Sequence, residues 1–329
     1  MTEYVLRISN LHVQFKVYEG RLKVLNGVNM DVGPGARVGL VGEAGCGKTT
    51  TMRCVLGILQ SPPGRITEGS ILFHGRDVLK MSQASLQRIR GGGISMIFQD
   101  PVAALNPVFT VGDQLTSVIR HAASRKRDGR EIRRRAIKAL ADVQLPDPDR
   151  MFASYPVQLS GGMRQRVCIA MALATESELM IADEPTTALD VTIQAQVLRL
   201  LNELVEERST SVIFITHSLG VVKEMADWVY VMYAGSIVEG AKKQALFEEP
   251  LHPYTVGLMG ALPKLTGGGI AEGIAGRIPD YLNPPTGCRF NPRCPHVMDV
   301  CSGERPELRE AGLDHHVACY LYKGDADAR

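Results

Sequence analysis

The chain has 329 residues, with 37 Lys+Arg against 35 Asp+Glu and a formal net charge of +2. That balance excludes a chain built mainly to coat nucleic acid, and equally an acidic solvating one. Hydrophobic residues make up 45% and charged residues 22%, as in ordinary globular proteins, so wholesale disorder is excluded and about two domains are expected.

The N-terminal MTEYVLRISN carries an acid and no apolar run of the secretory kind. The longest nearly unbroken apolar run, residues 167–174, is far short of a membrane span. The expectation is a chain made and kept in the cytoplasm. LRISNLHVQF (6–15) alternates apolar and polar residues, and YEGRLKVLNGVNMDV (18–32) repeats the pattern after a turn, so both read as strands. RVGLVG (37–42) has the short apolar run of a buried parallel strand, and KTTTMRCVLGIL (48–59) has helical spacing. Residues 61–70 read as a loop and ILFHG (71–75) as a short strand.

From about Gly91 the texture changes. A strand, MIFQD, gives way to the loop DPVAALNPVFT and then to two helix-like stretches. Between Arg125 and Lys138 there are eight basic residues and two acids. This stretch reads as a solvated amphipathic helix with Ile132, Ala136, Ile137 and Leu140 inward, rather than as a nucleic-acid or lipid contact. QLPDPDR (144–150) is a turn. LSGGMRQRVCIAMALA (159–174) is a loop entering a helix, ELMIADEP (178–185) a strand with its loop, and 190–208 a long amphipathic helix. SVIFITH (211–217) is another buried strand and LGVVKEMA (219–226) a helix. WVYVMYAGSIVEGA (228–241) is a closing hairpin, KKQALFEEP (242–250) a helix, and LHPYTVGLMGALPKL (251–265) another. TGGGIAEGIAG (266–276) reads as a Gly-rich linker. Strands alternating with helices predict a largely parallel sheet with helices packed on it, interrupted by a mostly helical insertion.

Three motifs carry chemistry. Gly42-Glu43-Ala44-Gly45-Cys46-Gly47-Lys48-Thr49, followed by Thr50, fits the phosphate loop G-x-x-x-x-G-K-[ST] and lies between a strand and a helix start. Its glycines let backbone N–H groups turn onto phosphate oxygens, Lys48 brings a charge to the β- and γ-phosphates, and Thr49 offers a hydroxyl to Mg²⁺. The apolar strand 179–182 ends in Asp183 and Glu184, the first placed to hold Mg²⁺ through water and the second to polarise attacking water. Leu159-Ser160-Gly161-Gly162-Met163 opens a second helix whose N-terminus can take an anion. Two phosphate cradles in one chain make sense when the second serves a neighbour.

At this point the sequence resembles the ATP-binding cassette (ABC) ATPases, whose signature is LSGGQ, with Met163 here in place of Gln. The resemblance implies an α/β P-loop NTPase fold. Its nucleotide-binding domain, over 1–250, has a RecA-like core, an antiparallel β part and a helical subdomain at about 91–165. A small Cys-rich extension follows over 251–329. It also implies ATP and Mg²⁺ as ligands, with Mg²⁺ held by Thr49, Gln99 and Asp183. Gln99 matches the Q-loop glutamine beside the membrane partner, Ala188-Leu189-Asp190 the D-loop across the dimer interface, and His217 the switch histidine on the γ-phosphate. Tyr18 is the expected adenine-stacking aromatic, with Phe15 the alternate.

Beyond 250, His252-Pro253-Tyr254-Thr255, the MIFQDPVAALNP segment and the cysteine-bearing tail resemble the ATPase subunits of dipeptide/oligopeptide permeases. That likeness implies energy coupling for a membrane importer of di- or oligopeptides at the cytoplasmic face of the membrane. Nickel, glutathione or oligosaccharide import, and more remotely a non-transport ABC ATPase, stay open. The implied partners are a second ATPase subunit in a heterodimer, two transmembrane permease subunits and an extracytoplasmic solute-binding protein, with no nucleic acid. Cys288, Cys294, Cys301 and Cys319 have the spacing C-x5-C-x6-C-x17-C. This lacks the tight pairs of zinc knuckles and the short ferredoxin run. A reducing compartment argues against disulfides. The subfamily likeness implies a [4Fe–4S] cluster, with Zn²⁺ and unliganded thiols as alternatives.

Overall fold

The computed structural model describes residues 4–122, 128–187, 189–261 and 273–322. In chain order it has β1 (Leu6–Val17), β2 (Gly20–Val32), β3 (Arg37–Val41), α1 (Lys48–Val55), β4 (Gly64–Phe73), β5 (Arg76–Asp77), α2 (Gln83–Ile89), β6 (Ile94–Ile97) and α3 (Pro101–Ala104). Next come α4 (Val111–Ala122), α5 (Gly129–Asp142), α6 (Pro148–Ala153), α7 (Gly161–Leu173), β7 (Leu179–Asp183), α8 (Val191–Arg208) and β8 (Ser211–Thr216). Then follow α9 (Leu219–Met225), β9 (Trp228–Tyr233), β10 (Ser236–Lys242), α10 (Lys243–Glu248), α11 (Pro253–Gly260), α12 (Val300–Gly303), β11 (Arg309–Gly312) and β12 (His315–Val317). No described helix is long and apolar enough to cross a membrane.

Several elements differ from the sequence expectation. The loop expected at 61–70 is mostly strand, because β4 starts at Gly64 and takes its register from β1, pairing Gly64 with Phe15 and Ile66 with Val13. Its own pattern is mostly polar, so neighbouring backbone rather than periodicity makes it β. The loop after β6 contains the single turn α3, capped by the Asp100 side chain, which accepts from Val102 N at 2.8 Å. The turn at 144–150 opens α6, capped by Asp147 with Pro148 at the first helical position. In α5, Ile132, Ala136 and Leu140 are buried as expected, but Ile137 is only half-buried and Ala139 is buried instead. Most of the linker expected at 266–276, and Arg125 to Arg127, lie outside the described residues.

The chain divides into two compact units. One comprises the chain up to Val32, Arg37–Leu79, and everything from Thr216 onward; the other comprises Gly33–Ala36 and Lys80–Ile215. Residues past 250 therefore fall in the same unit as β3 and α1.

In the first unit, β1 is central to an antiparallel sheet of order β2-β1-β4-β5. A bulge near Asn10, whose φ is 48°, shifts the register between Ile8 and Leu11. Gly69 crosses opposite this bulge at φ 99°, where an added Cβ would sit 2.5 Å from the Asn10 carbonyl oxygen. In the same unit β3 runs parallel to β9, and β9, β10, β12 and β11 continue antiparallel. The core here joins Val41, Val222, Val229 and Val231 to three rings, Tyr233, Tyr254 and Phe290. Ring centroids lie 4.6 Å apart for Tyr233–Tyr254 and 5.1 Å for Tyr233–Phe290.

In the second unit β6, β7 and β8 are parallel, with Ile97 opposite Ala182 and Asp183 opposite Ile215. Their continuous apolar runs suit strands buried on both faces. α4, α5, α6 and α7 pack against one another as a helical group. The basic side of α5 is laced with ion pairs: Arg133–Asp149 at 2.9 Å, Arg135–Glu176 at 3.0 Å and Lys138–Asp142 at 3.1 Å.

Gly69→Ala is expected to cost about 1–3 kcal/mol, since it strains a positive φ and drives a methyl into backbone. Urea unfolding measures this; an unchanged midpoint would contradict the β1–β4 crossing described here.

Candidate functional site

In the first unit the buried strand β3 delivers the chain to Gly42. Gly42 has φ 156°, and an added Cβ would lie 2.1 Å from the Met232 carbonyl oxygen. Gly45 and Gly47 also have positive φ, at 80° and 110°. These conformations are what L side chains avoid and glycine accepts, so the loop's composition follows from its shape. Gly47 is the N-cap of α1 and offers no side-chain cap, which leaves the helix start suited to an outside anion.

Lys48 is only 5% exposed. Its ammonium folds onto the loop, donating to Gly42 O at 2.7 Å and Glu43 O at 3.1 Å. Cys46 is fully buried beneath the loop, and burial raises its thiol pKa despite the neighbouring Lys48 charge. Thr49 and Thr50 are half-buried, and Ala44 and Gly45 are exposed. Tyr18 stands at the tip of the β1–β2 turn and is fully exposed, whereas Phe15 is half-buried within β1. His217 is exposed immediately past β8.

Three residues at this loop were not anticipated. The Glu43 N–H donates to the Tyr254 hydroxyl at 2.9 Å, and the Tyr281 hydroxyl donates to Gly45 O at 2.9 Å. Arg293 grips the Glu43 carboxylate through Nη1 at 2.9 Å and Nη2 at 3.2 Å. Sequence separations of 211 to 250 residues hide these contacts; the signals available are the two subfamily-like segments 252–255 and 292–295, which contain Tyr254 and Arg293.

In the second unit β7 is buried throughout and ends at Asp183, 2% exposed. Glu184 follows in a left-handed conformation, φ 46°, with its N–H donating to Ile215 O at 2.8 Å. Such a φ is uncommon outside glycine and marks strain held by its surroundings. The Glu184 carboxylate is fixed at Oε2 by Gln99 Nε2 and Thr187 Oγ1, each at 2.9 Å. Thr187 is a further residue not anticipated. A carboxylate held this way has the geometry to orient and deprotonate water. Ser160 caps α7, its hydroxyl accepting from Met163 N at 3.3 Å, and Gly161 and Gly162 form the first turn. Gly162 packs against Ile193, with only 2.9 Å available to a Cβ. Asp190 is exposed at the start of α8; Ala188 lies outside the described residues.

Cys288, Cys294, Cys301 and Cys319 all line one small cavity, together with His252, Phe290 and Met298. Burial pushes the Cys288 thiol up to about 11 and also raises Cys294 and Cys319. Among the described residues no group of His, Cys, Asp or Glu side chains is disposed to hold a metal ion.

The family model described as ABC transporter matches residues 25–187, and that described as Oligopeptide/dipeptide transporter, C-terminal region, matches residues 238–301. The dipeptide transport ATP-binding protein DppD of Bacillus subtilis is 46% identical over 321 residues, covering 97% of this chain and 95% of that protein. The oligopeptide transport ATP-binding protein OppD of Salmonella typhimurium is 44% identical, covering 92% of this chain and 89% of that protein. Among solved structures, the dimeric ATP-binding cassette MJ0796 in a post-hydrolysis state bound to ADP and Pi is 27% identical with a TM-score of 0.65, covering 72% of this chain and 98% of that one. The phosphate loop, the buried strand ending in two carboxylates and these matches meet in one conclusion: the chain is an ATPase that belongs to the ABC transporter family, with the C-terminal region of its oligopeptide/dipeptide branch.

Proposed function

We propose that the chain is the energy-coupling subunit of an importer for di- and oligopeptides, working at the cytoplasmic face of the membrane. The observation that carries this reading is the end-to-end likeness to dipeptide and oligopeptide transport ATP-binding proteins, tail region included. It works beside a second ATPase subunit, which makes a heterodimer, and two permease subunits, with peptide delivered by a solute-binding protein. Exposed apolar side chains between β6 and α4, namely Phe98, Val102, Val108 and Phe109, support a permease-facing surface there.

In this reading ATP lies on residues 42–50, with Tyr18 stacked on adenine and Lys48 leaving the loop carbonyls for the β- and γ-phosphates. Mg²⁺, when bound with the nucleotide, would supply charge neutralisation at the phosphates, with the Thr49 hydroxyl of the loop as a ligand. Glu184, fixed by Gln99 and Thr187, takes the proton from attacking water. His217 bonds the γ-phosphate. Ser160, Gly161, Gly162 and Asp190 serve the nucleotide of the neighbouring subunit, so hydrolysis requires the closed pair.

The tail thiols belong to the same proposal. Four cysteines around a single cavity form a donor set that suits a [4Fe–4S] cluster better than a lone ion. The cluster supplies cross-linking of a loop-rich segment, and the four thiols, once deprotonated, hold it.

Three measurements test the reading. In the reconstituted complex, peptide-loaded binding protein should stimulate ATP hydrolysis; stimulation by nickel, glutathione or oligosaccharide instead would remove the peptide assignment. Glu184→Gln should keep ATP binding while lowering kcat by about 10²–10⁴-fold, the usual contribution of a general base; full turnover would remove Glu184 from that role. Anaerobically purified chain should contain iron that Cys294→Ser loses, and iron-free wild type ends the cluster proposal.

A further inference from the structure

The phosphate loop carries a carboxylate of its own. Glu43 is its second residue, and its side chain is 27% exposed. An uncompensated anion there works against a triphosphate, because like charges at close range disfavour each other and the site is partly shielded from water. Arg293 answers that charge. Its side chain is 5% exposed, and its two-pronged grip on Glu43 is planar and charge-assisted.

The guanidinium is itself locked in place. Nε donates to Ala275 O at 2.9 Å, Nη2 to Ile274 O at 3.0 Å and Nη1 to the Tyr233 hydroxyl at 3.3 Å. It also lies 5.7 Å from the Tyr233 ring centroid and 6.0 Å from that of Phe290. Its side chain therefore cannot turn into solvent without breaking contacts at several atoms. Together with Tyr254 on the Glu43 N–H and Tyr281 on Gly45 O, it holds the loop at three points, all from residues beyond 250.

We propose that Arg293 is a positioning residue for nucleotide: it cancels the Glu43 charge inside the phosphate loop, making the C-terminal region part of the ATP-binding apparatus. The inference rests on residues 42–49 being the nucleotide loop. It requires no cluster in the tail.

The test is titration of Mg·ATP into the purified full-length chain, with dichroism and thermal melting to confirm folding. Arg293→Met should weaken ATP binding by about tenfold or more when Glu43 is present, as expected for stripping one partner from a largely buried ion pair. In a Glu43→Gln background the same change should cost less than about threefold, because the charge to be cancelled is gone. A residue that merely braces the fold would cost the same in both backgrounds, so equal losses overturn the proposal, as does no loss with Arg293→Met. Should Arg293→Met fail to fold, Arg293→Lys sheds the fork but keeps the charge that the proposal depends on; it is expected to retain binding within about threefold, and a tenfold loss there overturns the proposal. Wild-type chain that binds no ATP would instead sink the nucleotide-loop reading, a distinguishable failure.

Discussion

A polyphosphate can be gripped by backbone only where several consecutive N–H groups face inward, and that demands left-handed φ angles. Gly42, Gly45 and Gly47 supply them. Once the loop has this shape, its neighbours are constrained in turn. The Met232 carbonyl sits where a Gly42 side chain would be, and Leu25 where one on Gly47 would be. The N–H of Gly235 donates to Cys46 O at 2.8 Å from the β9–β10 turn. That turn is itself held by β2: a Cβ on Gly235 would meet the Val24 carbonyl oxygen at 2.0 Å. The loop is thus the point at which strand, hairpin and turn must all agree, and small residues are what allow their backbones to close on one another.

The second unit solves a different problem, how to keep carboxylates ready at the end of a strand with no polar residue in its interior. β7 is buried over all five residues. Parallel strands on both sides, β6 and β8, pair with its backbone as the chain approaches Asp183. Glu184 then turns sharply into left-handed space, which swings its carboxylate to Gln99 and Thr187. The strain of such a residue is of order 1–3 kcal/mol and persists only where the surroundings over-determine it. Here the Ile215 carbonyl fixes the backbone side and two hydrogen bonds fix the carboxylate. In the proposed role of general base Glu184 would gain from this arrangement, since its orientation is settled before water arrives.

What could be read from sequence was what is local. The phosphate loop is eight contiguous residues flanked by a strand and a helix, and each part has its own pattern; the same holds for β7 with its two acids and for the Ser160 cap. The start of β4 is not legible, because its first residues are strand only through pairing with β1. β11 and β12, of four and three residues, carry too little periodicity to announce themselves. The role of Thr187 is not legible, because nothing in its neighbourhood predicts which way Glu184 will bend. The contacts of Arg293 and Tyr281 are not legible for a simpler reason: a contact across more than 230 residues leaves no trace in one chain's spacing.

The tail's dependence on the rest of its unit explains why such long-range contacts exist. Segments this short cannot bury enough apolar surface to order themselves. They are anchored instead by polar groups that have no alternative partner. Glu239 of β10 is completely buried and accepts from Leu251 N at 2.8 Å, His252 N at 2.9 Å and His315 Nε2 at 2.7 Å. One carboxylate thereby ties the α10–α11 connection to β12. Burial holds the His252 imidazole near 4, below its usual value, so it stays neutral and its Nδ1 accepts from Tyr254 N at 3.0 Å. That fixes the start of α11, and with it the Tyr254 hydroxyl that receives the Glu43 N–H. A chain of satisfied buried groups therefore runs from β12 through Glu239 and His252 to the phosphate loop. Removing any one member strands a charge or donor in the interior, a cost that exceeds the worth of the contact itself. Anchoring the tail and shaping the nucleotide loop are on this account a single structural task.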